Sequence, residues 1–208
     1  MKIGLGVLGV FMLGLVLVSG GFTPALCEEK GVRAKIGIQV RSGEEVTRAK
    51  ARDRLKAGDL LRIYVYPEER SYVYVVHTDH RVATLLNREQ LRIEGLTLIM
   101  PSGMQFYEVD GKSAVETFTL VCSPRELEDL QTLLGSGEVS YTRWAEFEKA
   151  LLEKGRIDLA GKPERPFPIA GTVRGAGDSA GADPFLSRLQ IFTGKSILVK
   201  KYEFRVKK

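Results

Sequence analysis

The chain has 208 residues, of which 44% are hydrophobic, 27% are charged and 8% are aromatic, and its formal net charge is +5. This composition argues against a disordered chain, a collagen-like repeat and a disulfide scaffold, and the length suits a single domain. Only one apolar run is long enough to cross a bilayer, which argues against a protein with several membrane spans.

The amino-terminal segment 1–27 has the layout of a secretory signal peptide. A single positive charge precedes the apolar run 3–18, and small and turn-forming residues follow this run. Cleavage after Cys27, with Ala25 at the −3 position, predicts an exported mature chain of residues 28–208. We therefore expect the protein in the periplasm or in the medium.

Three other interpretations of this segment remain open. Residues 3–26 are long enough to remain as a membrane anchor. Cys27 is alternatively the lipidated cysteine of a lipoprotein, although the residue before it is not small. Cleavage after Gly20 or Gly21 would release a longer mature chain. Every interpretation places residues 28–208 outside the cytoplasm.

One cysteine, Cys122, remains in the mature chain if cleavage follows Cys27. It ends the apolar run 115–122, and a cysteine in such a run is typical of a buried small hydrophobe, not of a nucleophile. A disulfide between Cys27 and Cys122 requires cleavage upstream of Cys27.

Hydrophobic alternation predicts strands along the first part of the mature chain. Residues 32–40 alternate strictly between apolar and polar. The segments 60–66 and 72–78 are rich in Val and Tyr, and the short link between them predicts a β-hairpin. Further short strands are predicted at 81–86, 96–100, 105–109 and 115–122. Strands at this spacing predict a mainly β fold, either an antiparallel β-sandwich or an open barrel.

A helical pattern then interrupts the strands and makes the fold α+β overall. Ser123 and Glu126 have the spacing of a capping box, and Gly135 is a helix stop signal. A second amphipathic helix is predicted at 142–154. Together these features predict an inserted two-helix hairpin at about 123–155.

The segment that follows the helices is rich in glycine and proline. We predict a flexible loop at about 156–185. Its glycine-rich part, 171–181, lacks the Gly-Lys-Ser/Thr ending of a phosphate-binding loop. Apolar alternation resumes at 186–192, and a C-terminal strand is predicted at about 197–206, so that residues 28–208 form one mature domain.

Seven ordered sequence features within about residues 55–135 carry a family resemblance. They are Gly58-Asp59 at the start of a strand, the Tyr-rich strand 71–78, Leu85-Leu86-Asn87, Ile99-Met100-Pro101, Phe106, Glu116-Thr117-Phe118 and Cys122-Ser123. In their order and spacing they resemble DUF4384, a bacterial domain family of unknown function. The resemblance implies an extracytoplasmic accessory module with no assigned chemistry.

Both histidines of the chain lie in the segment His77-Thr78-Asp79-His80. A metal site needs several ligands that converge on one point. His77 and His80 would leave a strand on opposite faces, unless the chain turns sharply at Asp79. These three residues are therefore weak metal candidates, and we predict a strand end followed by an Asp-initiated turn, with no metal and no cofactor.

Hydrolytic chemistry has no recognisable motif in this chain. No Gly-x-Ser-x-Gly elbow at a strand-to-helix turn is predicted, since that spacing occurs only at 177–181, inside the predicted loop, and Ser123 fits helix capping better than nucleophilic attack. Glu116 and Asp59 are candidates for a carboxylate pair only in the sense that any two carboxylates are. We predict a protein without catalytic activity, and the alternative is a secreted hydrolase that uses scattered carboxylates or His77 and His80.

Tyrosines of two predicted strands and an alternating basic segment predict a binding surface. Tyrosine and arginine dominate interface hot spots, and a basic protein favours anionic partners. The tentative surface consists of Tyr64, Tyr66, Tyr72, Tyr74, Arg48, Lys50, Arg52 and Arg54. The competing interpretation is that the helical hairpin covers the tyrosines with Trp144 and Phe147.

The predicted export narrows the class of partner. A basic groove with aromatic side chains also suits single-stranded nucleic acid, but an exported protein rarely meets nucleic acid. We therefore expect an interaction module of the cell envelope, whose partner is an envelope protein or an anionic envelope component, and no nucleic-acid partner.

Overall fold

The computed structural model describes residues 31–156 and 183–207. The predicted signal or anchor segment and most of the predicted loop 156–185 lie outside the described residues. The described residues form thirteen β-strands and two α-helices. In chain order these are β1 (Val32–Ser42), β2 (Glu45–Arg48), β3 (Arg54–Lys56), β4 (Leu60–Pro67), β5 (Ser71–Thr78), β6 (Val82–Leu85), β7 (Arg92–Ile93), β8 (Leu98–Met100), β9 (Tyr107–Glu108), β10 (Val115–Ser123), α1 (Glu128–Leu134), β11 (Glu138–Ser140), α2 (Tyr141–Gly155), β12 (Gln190–Gly194) and β13 (Leu198–Lys207).

The strands form two open, mostly antiparallel sheets that pack face to face, which confirms the predicted sandwich. Sheet A has the strand order β12-β1-β4-β8, with β2 beside β1 and β9 beside β4. Sheet B has the order β11-β6-β5-β10-β13-β3, with β7 beside β5. The pairing of β13 with β3 is parallel, and the other pairings are antiparallel.

Alternate residues of both sheets fill the space between them. Ile36 and Ile38 of β1 are fully buried, in register with Val65 and Ile63 of β4. Their burial follows from the period of two, which sends every second side chain of a strand to the same face. Sheet B contributes Val73, Val75, Leu120, Cys122, Tyr202 and Phe204 to the same core.

The predicted hairpin of the strands at 60–66 and 72–78 is wrong. In the structure, β4 pairs with β1, β8 and β9 in sheet A, whereas β5 pairs with β10, β6 and β7 in sheet B. The short link between β4 and β5 therefore passes from one sheet to the other. The physical reason is that each strand has a branched apolar face, and the two faces bury more area when they meet across the sandwich than when they lie side by side in one sheet.

The two helices cover the outer side of sheet B, the side that faces away from sheet A. Trp144 and Leu151 of α2 and Leu130 and Leu134 of α1 pack there on a second apolar cluster. The short strand β11 separates the helices and pairs with β6. Gly135 caps the C terminus of α1, and α2 extends one residue beyond the predicted range at each end. No helix in the described ranges is long and apolar enough to cross a membrane.

The predicted capping box at the start of the first helix is wrong. Ser123 is still part of β10, in register with Tyr72, and its hydroxyl bonds to the backbone of Arg125. The helix begins later, at Glu128, and its N-cap residue Leu127 makes no side-chain cap bond. The Ser123 hydroxyl is held in a local turn with the backbone of Arg125, so it does not cap a helical N–H three residues later.

Candidate functional site

The four predicted surface tyrosines lie on two opposite sides of the molecule. Tyr64 and Tyr66 belong to β4 and point away from the core of sheet A, whereas Tyr72 and Tyr74 belong to β5 and point away from the core of sheet B. The separation follows from the placement of β4 and β5 in different sheets. The four side chains therefore do not form a common surface.

The helices bury Tyr74 and partly bury Tyr72. Tyr74 has no exposed area, and its hydroxyl accepts a hydrogen bond from the backbone N–H of Leu127 at 2.8 Å. Burial raises the pKa of Tyr74. Trp144 lies in the same cluster, and its indole N–H has no hydrogen-bond partner in the described residues. This pair of tyrosines fits the competing interpretation, in which the helices cover them.

Tyr64 is also buried, but by a different segment. The ring of Phe185 packs on it with a centroid distance of 4.8 Å. The Tyr64 hydroxyl donates to the carboxylate of Asp183, 2.6 Å away, and lies 2.8 Å from the side-chain oxygen of Gln39. Burial, together with Asp183, raises the pKa of Tyr64. Gly37 leaves room for this cover, because a Cβ there would lie 2.8 Å from Leu189 Cδ2.

The outer face of sheet A carries an arginine and aromatic cluster that the sequence analysis did not single out. The guanidinium carbon of Arg41 lies 4.5 Å from the centre of the Phe106 ring, and that of Arg62 lies 5.5 Å from the same centre. Arg41 on β1 and Arg62 on the neighbouring β4 alternate with core residues, so both side chains leave the sheet on its outer side. Phe106 reaches them from the loop between β8 and β9. We call Arg41, Arg62 and Phe106, with the adjoining Arg48 and Arg188, the arginine–aromatic patch.

Register and hydrogen bonds place the two adjoining arginines beside this cluster. Arg48 on β2 is the register partner of Gln39, and Gln39 is the register partner of Arg62, so the three side chains form one row across sheet A. Arg188 donates a hydrogen bond to the backbone oxygen of Val46 on β2 at 3.0 Å. The patch therefore draws its four arginines from four separate segments.

The patch is cationic, because none of its arginines forms an ion pair with a carboxylate in the described part of the chain. At the other end of the same face, Arg33 does form one, with Glu68 at 3.3 Å. Arg62 donates one N–H to the backbone oxygen of Gly103, while its Nε–H is buried without an acceptor among the described residues. No carboxylate of the described residues therefore pairs directly with these guanidinium groups, and the nearest link to one runs from Arg62 through the Tyr64 hydroxyl to Asp183.

The predicted basic segment does not form a continuous surface. Arg48 belongs to the patch, but the chain turns after β2, and Lys50 and Arg52 lie in that turn. Arg54 belongs to β3 at the edge of sheet B, in register with Arg205. Only Arg48 of the predicted cations thus shares a face with Tyr64 and Tyr66.

A cleft of about 210 Å³ opens between the two sheets at the end where β5 stops and β10 begins. There His77 Nε2 lies 2.5 Å from Glu116 Oε2, and the imidazole packs against the Phe118 ring. Tyr107 of β9 contributes the wall on the side of sheet A. Ion pairs of Asp79 with Arg81 and of Asp110 with Lys112 also line the cleft.

The three weak metal candidates have separate partners. His77 contacts Glu116, whereas Asp79 accepts hydrogen bonds from the backbone N–H groups of Arg81 and Val82, which is the Asp-initiated turn of the sequence prediction. Although partial burial opposes it, these bonds and the Arg81 guanidinium lower the pKa of Asp79 to about 2.

His80 points away from this group. It has a left-handed φ of 66°, and its ring stacks on Tyr141 with a centroid distance of 4.6 Å. Its Nε2 lies 3.3 Å from the hydroxyl of Thr117. Within residues 31–156 and 183–207, the structure contains no group of three or more side chains that could hold a metal ion.

The remaining candidates have structural contacts. Asp59 accepts a hydrogen bond from the backbone N–H of Lys56 at 2.8 Å, within a turn. Cys122 is fully buried, and burial raises the pKa of its thiol to about 12. The predicted buried character of Cys122 is therefore confirmed.

Comparison with models of known protein families, with curated proteins and with solved structures finds no match to this chain. The resemblance to DUF4384 over about residues 55–135 stays a prediction.

Proposed function

We propose that the protein is a non-catalytic binding module of the cell envelope that holds an anionic component on the arginine–aromatic patch. The observation that carries the proposal is the contact of Arg41 and Arg62 with the same Phe106 ring, with no carboxylate of the described residues paired to either guanidinium. Surface arginines without acidic neighbours are the side chains that carboxylates, phosphates and sulfates bind most readily.

The stacking prepares the two guanidinium groups for such a ligand. A guanidinium that lies over an aromatic ring keeps N–H groups at the edge of its plane, where they can donate to an oxyanion. In Arg62 one N–H already donates to Gly103 and the Nε–H is buried, so the remaining N–H groups are the ones left for a ligand. Because both guanidinium carbons lie within 5.5 Å of the same ring centre, one ligand with several anionic groups can reach both. The patch therefore gains more from an anion than two separate arginines would.

Export is part of the proposal, since the segment 1–27 predicts it. An exported protein meets polymers and lipids that carry phosphate, carboxylate or sulfate groups. The protein recovered from the envelope or medium of expressing bacteria should begin at Glu28, as measured by intact mass. Full-length protein recovered only from the cytoplasm would contradict this part.

Charge reversal tests the binding part. Arg41 and Arg62 are changed together to glutamate, and retention is measured on an agarose matrix that carries heparin, a sulfated and carboxylated polymer. The control changes Arg54 and Arg205 to glutamate, because these two arginines likewise lie on neighbouring strands but far from the patch, at the edge of sheet B. Both double variants have the same net charge. We expect R41E/R62E to elute at much lower salt than R54E/R205E, and equal elution would reject the patch as the binding surface.

A secreted hydrolase is the second candidate, favoured by the contact of His77 with Glu116 inside a cleft. A carboxylate that holds an imidazole in place is the arrangement by which histidine acts as a general base. Chromogenic esters, phosphoesters and glycosides test it. Turnover that His77→Asn abolishes and R41E/R62E retains would support the hydrolase, and absence of turnover on all three classes would count against it.

A further inference from the structure

The loop between β8 and β9 presents an apolar side chain beside the arginine–aromatic patch. Met104 is 87% exposed, more than any other large hydrophobic residue in the described ranges. It lies between Gly103, whose backbone oxygen accepts from Arg62, and Phe106, which stacks on Arg41. The left-handed φ of 67° at Gly103 turns the chain at this point. The methionine is therefore held at the border of the cationic patch.

A second exposed apolar residue adjoins the same arginines. Val46 of β2 is 36% exposed and is the register partner of Arg41. Arg188 bonds to the backbone of Val46, so a guanidinium also lies next to this side chain. The patch is consequently a mixed surface, in which exposed apolar residues adjoin cations that form no ion pair with a carboxylate in the described ranges.

We propose that this surface docks on a lipid bilayer with anionic head groups, an inference that rests on the proposed function and names its anionic component. In the docked state, Met104 and Phe106 lie at the boundary between head groups and acyl chains. The arginines reach the phosphates, since long cationic side chains extend from an apolar base to the polar layer. Each arginine near an anionic surface adds attraction.

The apolar residue distinguishes this ligand from a soluble polyanion. A charged polymer in water would use the arginines but would gain nothing from a methionine that is almost fully exposed. A bilayer uses both, because its interface offers phosphates and an apolar layer within the reach of one side chain. Single exposed apolar residues are common on protein surfaces, and the evidence here is that Met104 lies in the chain between Gly103, which accepts from Arg62, and Phe106, whose ring contacts Arg41.

Docking through sheet A also fixes the orientation of the molecule. The helices α1 and α2 lie on the outer side of sheet B, across the sandwich from the patch. They would face away from the bilayer and stay accessible to a protein partner.

The chain offers a matched control for Met104. Leu96 is 66% exposed and precedes β8, whereas Met104 follows β8 and lies in the loop whose Gly103 and Phe106 contact the arginines of the patch. The exported protein is purified with the N terminus that the cells produce, which intact mass defines. Met104→Ser, Leu96→Ser and R41E/R62E are then compared for partition onto phosphatidylcholine vesicles with and without phosphatidylglycerol. All variants share the same N terminus, so its contribution cancels.

We expect binding to depend on phosphatidylglycerol and to fall about tenfold in Met104→Ser, as loss of one inserted apolar side chain requires. It should fall by about thirtyfold or more in R41E/R62E and remain unchanged in Leu96→Ser. Heparin retention of Met104→Ser should equal that of the unchanged protein.

Three outcomes overturn the inference. If the unchanged protein is retained on heparin but does not bind phosphatidylglycerol vesicles, the ligand is a soluble or wall-bound polyanion and the proposed function alone stands. If Met104→Ser and Leu96→Ser partition equally, Met104 does not insert and bilayer docking is rejected. If neither the unchanged protein nor any variant binds heparin or the vesicles, the proposed function is rejected as well.

Discussion

The guanidinium of Arg41 lies 4.5 Å from the centre of the Phe106 ring, although β4 separates the strand of Arg41 from the loop that holds Phe106. The ring thus crosses the end of β4 and also covers Arg62. One aromatic side chain orders two cations that sequence position alone would not associate. The ring is therefore expected to determine how the two arginines are presented to a ligand.

Phe106→Leu should weaken retention on heparin while the fold is kept. Leucine preserves most of the apolar volume but has no π face for the two guanidinium groups, and each cation–π contact contributes roughly 0.5–1 kcal/mol at an exposed site. Phe106→Tyr is the control and should keep retention, because it preserves the ring. Equal retention of both variants would mean that the ring does not organise the arginines.

Asp79 should stabilise the fold in a pH-dependent way. Its pKa falls from 3.8 to about 2 in the folded protein, so the carboxylate form favours folding. The contribution is fully present above pH 3.8 and is lost as the pH falls through about 2. A shift of this size corresponds to about 2 kcal/mol. The free energies of unfolding in urea of Asp79→Asn and of the unchanged protein should therefore differ by about 2 kcal/mol at pH 7. The difference should shrink as the pH approaches 2.

Asp110→Asn is the matched control for Asp79. Asp110 also accepts a hydrogen bond from a backbone N–H two residues later and pairs with a cation, Lys112. Its side chain is 50% exposed, and solvent screens such a pair. We expect little change in the free energy of unfolding for Asp110→Asn. A loss as large as that of Asp79→Asn would contradict the explanation from burial and hydrogen bonding.

Glu148 should anchor the helices to sheet B. Its carboxylate, with 6% of the side chain exposed, accepts hydrogen bonds from the hydroxyl of Thr119 and from Nζ of Lys201 at 2.8 Å. Glu148→Ala leaves both donors without this acceptor and should lower the free energy of unfolding by about 2 kcal/mol. Glu146→Ala, an exposed change in the same helix, should alter stability by at most about 0.5 kcal/mol.

The binding data should separate this anchor from the patch. Glu148 lies on the outer side of sheet B, so Glu148→Ala should keep its heparin retention as long as the protein is folded. A folded Glu148→Ala variant that loses retention would show that the helices take part in anion binding.

Cys122 should be unreactive in the folded protein. The thiol is fully buried, and with a pKa raised to about 12 it is almost entirely protonated at neutral pH. Ellman's reagent should give no signal from Cys122 under native conditions and a full signal in guanidinium chloride. Rapid native labelling at Cys122, located by peptide mass, would show that β10 opens readily.

Much of the fold could be predicted because alternation directly reports which face of a strand is buried. The alternate residues Ile36 and Ile38 are apolar because they face the core, and the pattern that predicts β1 is the same pattern that buries it. Alternation does not report which of the two sheets a strand joins. The link between β4 and β5 is short whether they pair in one sheet or cross the sandwich, so local sequence could not decide the hairpin.

The candidate site was harder to predict for the same reason. Arg41 occupied the expected polar face of β1, but its neighbours depend on register with β4 and on the path of the 101–106 loop. Only the assembled sheet shows that Phe106 meets Arg41 and Arg62. The alternating basic residues of β1 were a usable signal for a cationic face, and the tyrosines were a misleading one, since Tyr64 and Tyr74 are buried.

The salt dependence of anion binding tests the central claim most directly. The dissociation constant for a heparin fragment of defined length is measured over a range of sodium chloride concentrations for the unchanged protein, R41E/R62E and R54E/R205E. Salt screens exposed charges, so affinity through the patch should fall steeply with salt. We predict the same steep dependence for the unchanged protein and R54E/R205E, and weak, nearly salt-independent binding for R41E/R62E. Identical affinities and salt slopes in the two double variants would contradict the account.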